Sequence, residues 1–314
     1  MLRVLTAVVL VVLVLLALFK APIWLFCLIT GLIALLAAYE YLKLVARHEL
    51  QPLTTLTMIA VALQFLLTYL SIRLRTTRMP PPSAHGWRVL LEPLYQYQIL
   101  SILIGIAPFV LLIAAMRKQE LRQALPSAAS SYLAIPYIAL TLSYLVLLRA
   151  LLPNGALALF YVFAVVWIGD IFAYYIGRFF GRHLMAPRIS PKKTWEGALA
   201  SLVTGSLAGT LLLVYNSRVA DFATRHGLLA RTSVLFNLPH SQPNVVWLAV
   251  VITISINIAA QLGDLVESMI KRGANVKDSG EIVPGHGGVL DRIDALLLAM
   301  PALWYYATSG LIHF

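Results

Sequence analysis

VVWLAVVITISINIAAQLGDLV, residues 245–266, is the stretch on which the fold turns. Its 22 residues carry one formal charge, Asp264, and as a helix they reach about 33 Å at about 1.5 Å per residue. A hydrocarbon core of about 30 Å is crossed by such a run. Comparable apolar runs bounded by charge or proline occupy 2–19, 22–42, 53–72, 99–116, 130–148, 156–177, 197–215 and 293–312. The expectation is an all-α polytopic integral membrane protein with about nine transmembrane helices. The first run has the basic start of a signal peptide at Arg3, but no small-x-small cleavage site precedes Lys20 and Pro22 follows closely, so it is read as a span.

Composition agrees. The 314 residues are 60% hydrophobic and 12% charged, with a mean hydropathy of +0.84, whereas soluble domains run near 45–50% apolar and about 25% charged. A lone cysteine, Cys27, has no intrachain partner, which excludes a disulfide scaffold. The net charge is +11, yet its 24 Lys and Arg are scattered between apolar runs. That pattern argues against nucleic acid and favours anionic membrane lipid or a phosphate-bearing substrate. With nine crossings, 15 of those cations fall on one side and 9 on the other, most of the 9 in the two long loops that count least. The expected topology places the N-terminus and the 15-cation side in the cytoplasm.

No internal repeat or separate soluble region is visible, so residues 1–314 read as one membrane domain. Residues 1–155 are its scaffold spans, almost featureless apart from Glu40, and 156–314 hold the catalytic spans and loops. Pro80, Pro81 and Pro82 mark an irregular connection. His85, His240, His313 and Cys27 read as incidental, since no Cys/His metal spacing is present. A GxxxxGK[ST] nucleotide loop and a GxSxG elbow are also absent.

Polar residues converge in the second half. Asp170 sits midway along the sixth span with Tyr174 and Arg178 at four-residue steps on one face. An Asp at that depth disfavours insertion by about 2.5–3.5 kcal/mol and marks a partner or a cavity. In the eighth span Asn257, Gln261, Asp264, Ser268 and Lys271 form one polar stripe; Asn257 and Gln261 can equally be helix-to-helix glue. The stripe runs into KRGANVKDSGEIVPGHGGVLDRID, residues 271–294. Gly285, Gly287 and Gly288 around His286 suit an anion-binding nest. Asp291 and Asp294, three apart, project from one helical face. Paired Asp beside Lys and Arg is the donor set for Mg²⁺ and polyphosphate, with hard oxygens for the metal and cations for the phosphates. RISPKKTWEG, residues 188–197, lies two crossings earlier on the same side. There Ser190, Lys192, Lys193 and Thr194 can bind phosphate, although headgroup attraction of about 1 kcal/mol per charge competes as an explanation. Glu196 can join the metal site or cap the seventh span.

Thirteen residues in the 27 from Ser268 to Asp294 carry a resemblance: Ser268, Lys271, Arg272, Lys277, Asp278, Gly280, Pro284, His286, Gly287, Gly288, Asp291, Arg292 and Asp294. Their order and spacing resemble the signature of the phosphatidate cytidylyltransferases, the CDP-diacylglycerol synthases. GDIFAYYIGRFFGR, residues 169–182, and SPKKTWEG, residues 190–197, also look like upstream motifs of that family. Val283 departs from the expected Ile, Leu or Phe.

The resemblance implies transfer of CMP from CTP to phosphatidic acid, giving CDP-diacylglycerol and pyrophosphate for phospholipid synthesis, with Mg²⁺, at the cytoplasmic membrane and from its cytoplasmic face. The expected catalytic residues are Lys271, Arg272, Lys277, Asp278, His286 and Arg292. Ser190, Lys192, Lys193, Thr194, Ser268, Gly287 and Gly288 are expected to bind substrate, and Asp264, Asp291, Asp294 and Asp170 the metal. A phosphate monoester has its second pKa near about 6, so the nucleophile needs no strong base, and catalysis reduces to positioning anions and neutralising the leaving pyrophosphate. The reading leaves room for a homodimer. Its alternatives are a related enzyme acting on another lipid phosphate and an ion-coupled transporter, which usually shows repeats and midplane sites.

Overall fold

The computed structural model describes residues 2–76, 98–117, 120–229, 244–282 and 287–309. In chain order its helices are α1 (Leu2–Lys20), α2 (Ile23–Arg47), α3 (Thr54–Thr76), α4 (Gln98–Ala115), α5 (Leu121–Ala134) and α6 (Thr141–Leu151). They continue as α7 (Gly155–Phe180), α8 (Trp195–Val214), α9 (Asn216–Arg225), α10 (Asn244–Gly273) and α11 (Leu290–Thr308). Pro80–Pro82, His85, His240 and His313 lie outside the described residues.

Among the described residues, six helices are long and apolar enough to cross a membrane: Ile23–Arg47, Thr54–Arg75, Leu121–Leu151, Gly155–Phe180, Trp195–Val214 and Val246–Gly273. The chain is thus a polytopic membrane protein, with six rather than nine helices meeting both conditions. α1 and α4 contribute shorter apolar stretches, Val8–Lys20 and Leu103–Ala115, and α11 carries Asp291, Arg292 and Asp294 near its start.

Two local features depart from the all-helical expectation. Leu184–Ala186 (β1) and Ser190–Thr194 (β2) pair antiparallel, with Leu184 opposite Thr194 and Ala186 opposite Ser190. The strands are too short, and too interrupted by Pro187 and Pro191, to show a period-2 pattern. The fifth span is also longer than its apolar window. It starts at Leu121, and a π-helical turn over Ile135–Leu140, with Pro136 near its start, joins α5 to α6. Proline has no N–H to give to the ladder, and a wide turn absorbs that loss.

Small residues set the packing of the second half. Gly197, Ser201, Gly205 and Gly209 recur every four residues on the buried face of α8, where a side chain at Gly205 would meet the Val165 carbonyl and the Asn257 amide. Helices approach closely along such stripes. Across this contact Asn257 donates to the Ser201 carbonyl at 3.2 Å, and Gln261 donates to Asn257 Oδ1 at 2.7 Å and to the Ala198 carbonyl at 3.2 Å. Asn257 and Gln261 are therefore helix glue, and the stripe on α10 changes role at Asp264. Gly263 faces the Asp294 carbonyl so closely that a Cβ would lie 2.5 Å from it. This draws α10 against α11 and carries Asp264 toward Asp294.

Candidate active site

Five helix ends and the β1–β2 hairpin converge at one end of the bundle. They are the C-terminal ends of α2, α7 and α10 and the N-terminal ends of α8 and α11. Two contacts tie the hairpin to α10. Lys193 Nζ lies 2.5 Å from Asp264 Oδ2, and Arg272 Nε donates to the Ile189 carbonyl at 3.2 Å. The two motif loops thus share a face, as two intervening crossings require.

At the centre, Lys271 Nζ stands between two carboxylates, 2.5 Å from Glu267 Oε2 and 2.5 Å from Asp291 Oδ1. Glu267 is fully buried, and its position one turn before Lys271 places both on one face of α10. The other oxygen of Asp291 accepts from the Ser279 amide at 2.9 Å, the Ser279 hydroxyl at 3.0 Å and the Gly288 amide at 2.8 Å. Among the described residues of the glycine loop, the Gly288 amide is thus turned onto a carboxylate of the protein itself. Gly287 has φ +80 there, and a Cβ would meet Asp291 Oδ2 at 2.6 Å, so a side chain is excluded by conformation and by space.

A second acidic group lies beside this one. Asp170, Asp264 and Asp294 are near enough to repel one another electrostatically, with Lys193 attracting Asp170 and Lys271 attracting Asp294. Asp264 Oδ1 also accepts from the Ser268 hydroxyl at 3.3 Å, and Asp294 Oδ1 from the Ala295 amide at 2.8 Å. Among the described residues, no three His, Cys, Asp or Glu side chains are arranged as a ready metal cluster. The donor chemistry nevertheless suits a hard cation: three hydrophilic carboxylates from three helices in mutual repulsion.

The remaining expected site residues divide in two. Thr194 is the N-cap of α8, its hydroxyl accepting from the Gly197 amide at 3.2 Å, and Glu196 is held 2.6 Å from His183 Nδ1. Arg272 also donates to the Val276 carbonyl at 3.1 Å, so its guanidinium ties hairpin to loop. Lys192, Lys277, Asp278 and Arg292, by contrast, are exposed and make no side-chain bond to a described residue. Ser190 is half-buried on β2, and Gly288 lies against Ser279 and Glu40. His286, with Val283, Pro284 and Gly285, lies outside the described residues.

Two participants are absent from the sequence reading of the site. Glu267 stands one helical turn before Lys271 in the sequence, and that four-residue step is the signal by which it could have been found. Glu40, the one acid of the second span, meets the same rule that singles out Asp170; its carboxylate reaches Ser279, Val289 and Leu290.

A sequence profile described as the cytidylyltransferase family matches residues 1–309. The chain belongs to the cytidylyltransferase family. Similar curated proteins include the phosphatidate cytidylyltransferases of Staphylococcus haemolyticus, 36% identical over 176 residues (56% of this chain and 57% of that protein), and of Brucella abortus, 39% identical over 170 residues (54% and 53%). That of Bacillus subtilis is 35% identical over 173 residues, 55% of each chain. The match thus spans about half the length of the curated relatives.

Proposed function

We propose that this protein transfers CMP from CTP to phosphatidic acid, forming CDP-diacylglycerol and pyrophosphate, as the names of its relatives suggest. The observation that carries the reading is the packing of the hairpin, α10 and α11 at one end of the bundle: Lys193 lies 2.5 Å from Asp264, Gly263 faces the Asp294 carbonyl, and Lys271 lies 2.5 Å from Asp291. Such a place serves a reaction between a lipid phosphate and a nucleoside triphosphate. Diacylglycerol tails stay in the bilayer, since each buried CH₂ contributes about 0.8 kcal/mol, so the lipid phosphate must be met near a helix end.

In this reading Asp170, Asp264 and Asp294 would hold Mg²⁺, which supplies charge neutralisation on the triphosphate. Asp291 stands behind them, because four donors, two of them the backbone amides of Ser279 and Gly288, already surround its carboxylate. The exposed cations Lys192, Lys277 and Arg292 bind the phosphates of CTP, Arg292 through a fork that suits two phosphate oxygens. Ser268 fixes the rotamer of Asp264, and Asp278 flanks the same mouth. The incoming phosphate is already anionic, so these residues orient it and need not remove a proton. The cation count favours the cytoplasm for this face, with the N-terminus inside and the protein in the cytoplasmic membrane.

The test is direct: purified protein in mixed micelles is given CTP, Mg²⁺ and phosphatidic acid, and CDP-diacylglycerol and pyrophosphate are measured. Equal amounts of both products, dependent on both substrates, are expected. No product from folded protein, or product with another lipid phosphate only, would overturn the proposal.

A further inference from the structure

We infer that Glu40, from the N-terminal half of the chain, is a positioning residue of the active site: it caps the start of α11 from another helix and holds the motif loop in place. A helix leaves its first N–H groups without intrahelical partners. The N-cap residue of α11, Val289, has no side chain that accepts a hydrogen bond, and Asp291 reaches back to the Gly288 amide but not to those of Val289 and Leu290. Instead the Val289 amide donates to Glu40 Oε1 at 3.0 Å and the Leu290 amide to Glu40 Oε2 at 2.8 Å. A carboxylate at this place is favoured by the helix dipole as well as by the bonds.

Glu40 keeps only 2% of its surface accessible, and a carboxylate so buried must be hydrogen-bonded. Its third donor is the Ser279 hydroxyl at 3.0 Å, whose single proton is shared with Asp291 at the same distance. Both flanks of the loop are shaped to it, because a Cβ at Gly280 or at Gly288 would run into the Glu40 carboxylate. One end of the same helix makes an independent contact: the His48 imidazole lies where a Cβ on Gly273 would be, 2.5 Å from its Cε1. α2 therefore grips the loop where it leaves α10 and where it enters α11. Asp291 follows Leu290 directly and Asp294 lies one turn further, so the direction of both carboxylates depends on Glu40.

Glu40→Gln is the informative variant. A side-chain amide offers one acceptor oxygen to three donors, so either Val289 or Leu290 must face an NH₂ group. Amide hydrogen exchange read residue by residue should speed up at Val289 and Leu290 by about 10- to 100-fold, the range for losing a bond to a charged group. In wild-type protein the same two amides should exchange slowly despite opening a helix. This measurement needs no folded variant, and fast wild-type exchange at both overturns the inference. A second arm rests on the CMP-transfer reading and follows turnover against Mg²⁺ and CTP. Glu40→Gln should lower kcat per folded molecule about tenfold or more and raise the Mg²⁺ needed for half-maximal rate, with the KM for CTP changed far less. Ser279→Ala, which spares both amide bonds, should keep most activity. A purely structural role would lower the folded yield and leave kcat of the folded fraction unchanged, and that result overturns the inference. Absence of wild-type turnover would remove the CMP-transfer reading, while the exchange arm would still decide Glu40.

Discussion

Lys271→Met offers the most quantitative test of the central ion triad. The ammonium is 12% exposed, Glu267 is 0% exposed and Asp291 5%, so all three charges sit in a screened environment. Removing the cation leaves Glu267 buried without its ion-pair partner. Breaking a buried pair from one side costs about 3–5 kcal/mol, a large share of a usual stability of about 5–15 kcal/mol. A fall in Tm of roughly 10 °C is expected for a protein of this general size. Thermal unfolding of the detergent-purified variant measures it. The companion Lys271→Met/Glu267→Gln removes the cation together with the fully buried acid, leaves Asp291 to its Ser279 and Gly288 donors, and should recover much of the loss, while turnover stays depressed because the positive charge beside Asp291 is still missing. Wild-type unfolding of Lys271→Met would refute the buried-triad energetics. A double variant with full turnover would make Lys271 structural alone.

Asp264→Asn and Asp294→Asn should each reduce turnover at least about tenfold and raise the Mg²⁺ requirement, since charge at a metal-binding oxygen is lost with shape kept; unchanged Mg²⁺ titrations in both would remove them from the metal site. Lys277→Ala and Arg292→Ala should raise the KM for CTP by about 10- to 100-fold, the range of a charge-assisted bond, with Tm nearly unchanged because both side chains are exposed. Arg292→Lys should restore only part, as one ammonium cannot reproduce a fork; full restoration would rule the fork out. Single cysteines at Lys192 and Lys277, in a Cys27→Ser background, should both resist an impermeant thiol reagent in intact cells. Labelling of one alone would break the shared face.

How much was legible follows from the range of each signal. The apolar runs found α2, α3, α7, α8 and α10 because bilayer thickness acts on about 20 consecutive residues. The start of α5 was missed because helical hydrogen bonding continues through Arg122, Gln123 and Ser127 after apolarity ends. The four-residue steps of Asn257, Gln261 and Asp264 revealed a polar face, yet only the contact with Ser201 and Ala198 showed where glue gives way to chemistry. The role of Asp291 was partly readable: a carboxylate reaching back three residues to the Gly288 amide follows the logic of a capping box. The role of Glu40 was not readable, because its partners lie 239 to 250 positions away in the chain. A buried acid advertises a partner without saying which.

The division between committed and uncommitted charge gives the site its chemical direction. Glu40, Glu267, Asp291 and Lys271 direct their charges at one another and at loop N–H groups, and Arg272 at the Ile189 and Val276 carbonyls, and so they define where the helix ends sit. Asp170 and Asp294 make no ion pair in the structure among the described residues, and Asp264 has only Lys193. On the positive side Lys192, Lys277 and Arg292 are exposed without such pairs. Among the described residues these two sets make no ion pair with each other. A ligand that stabilises both sets must present positive charge to the carboxylates and negative charge to the cations. A divalent cation complexed with a polyphosphate does both at once, whereas a transported monovalent ion would answer the carboxylates and leave the cations unanswered. Residual charge of both signs, gathered on the hairpin, the motif loop and the neighbouring helices, is therefore the physical ground for favouring nucleotidyl transfer over ion-coupled transport in this chain.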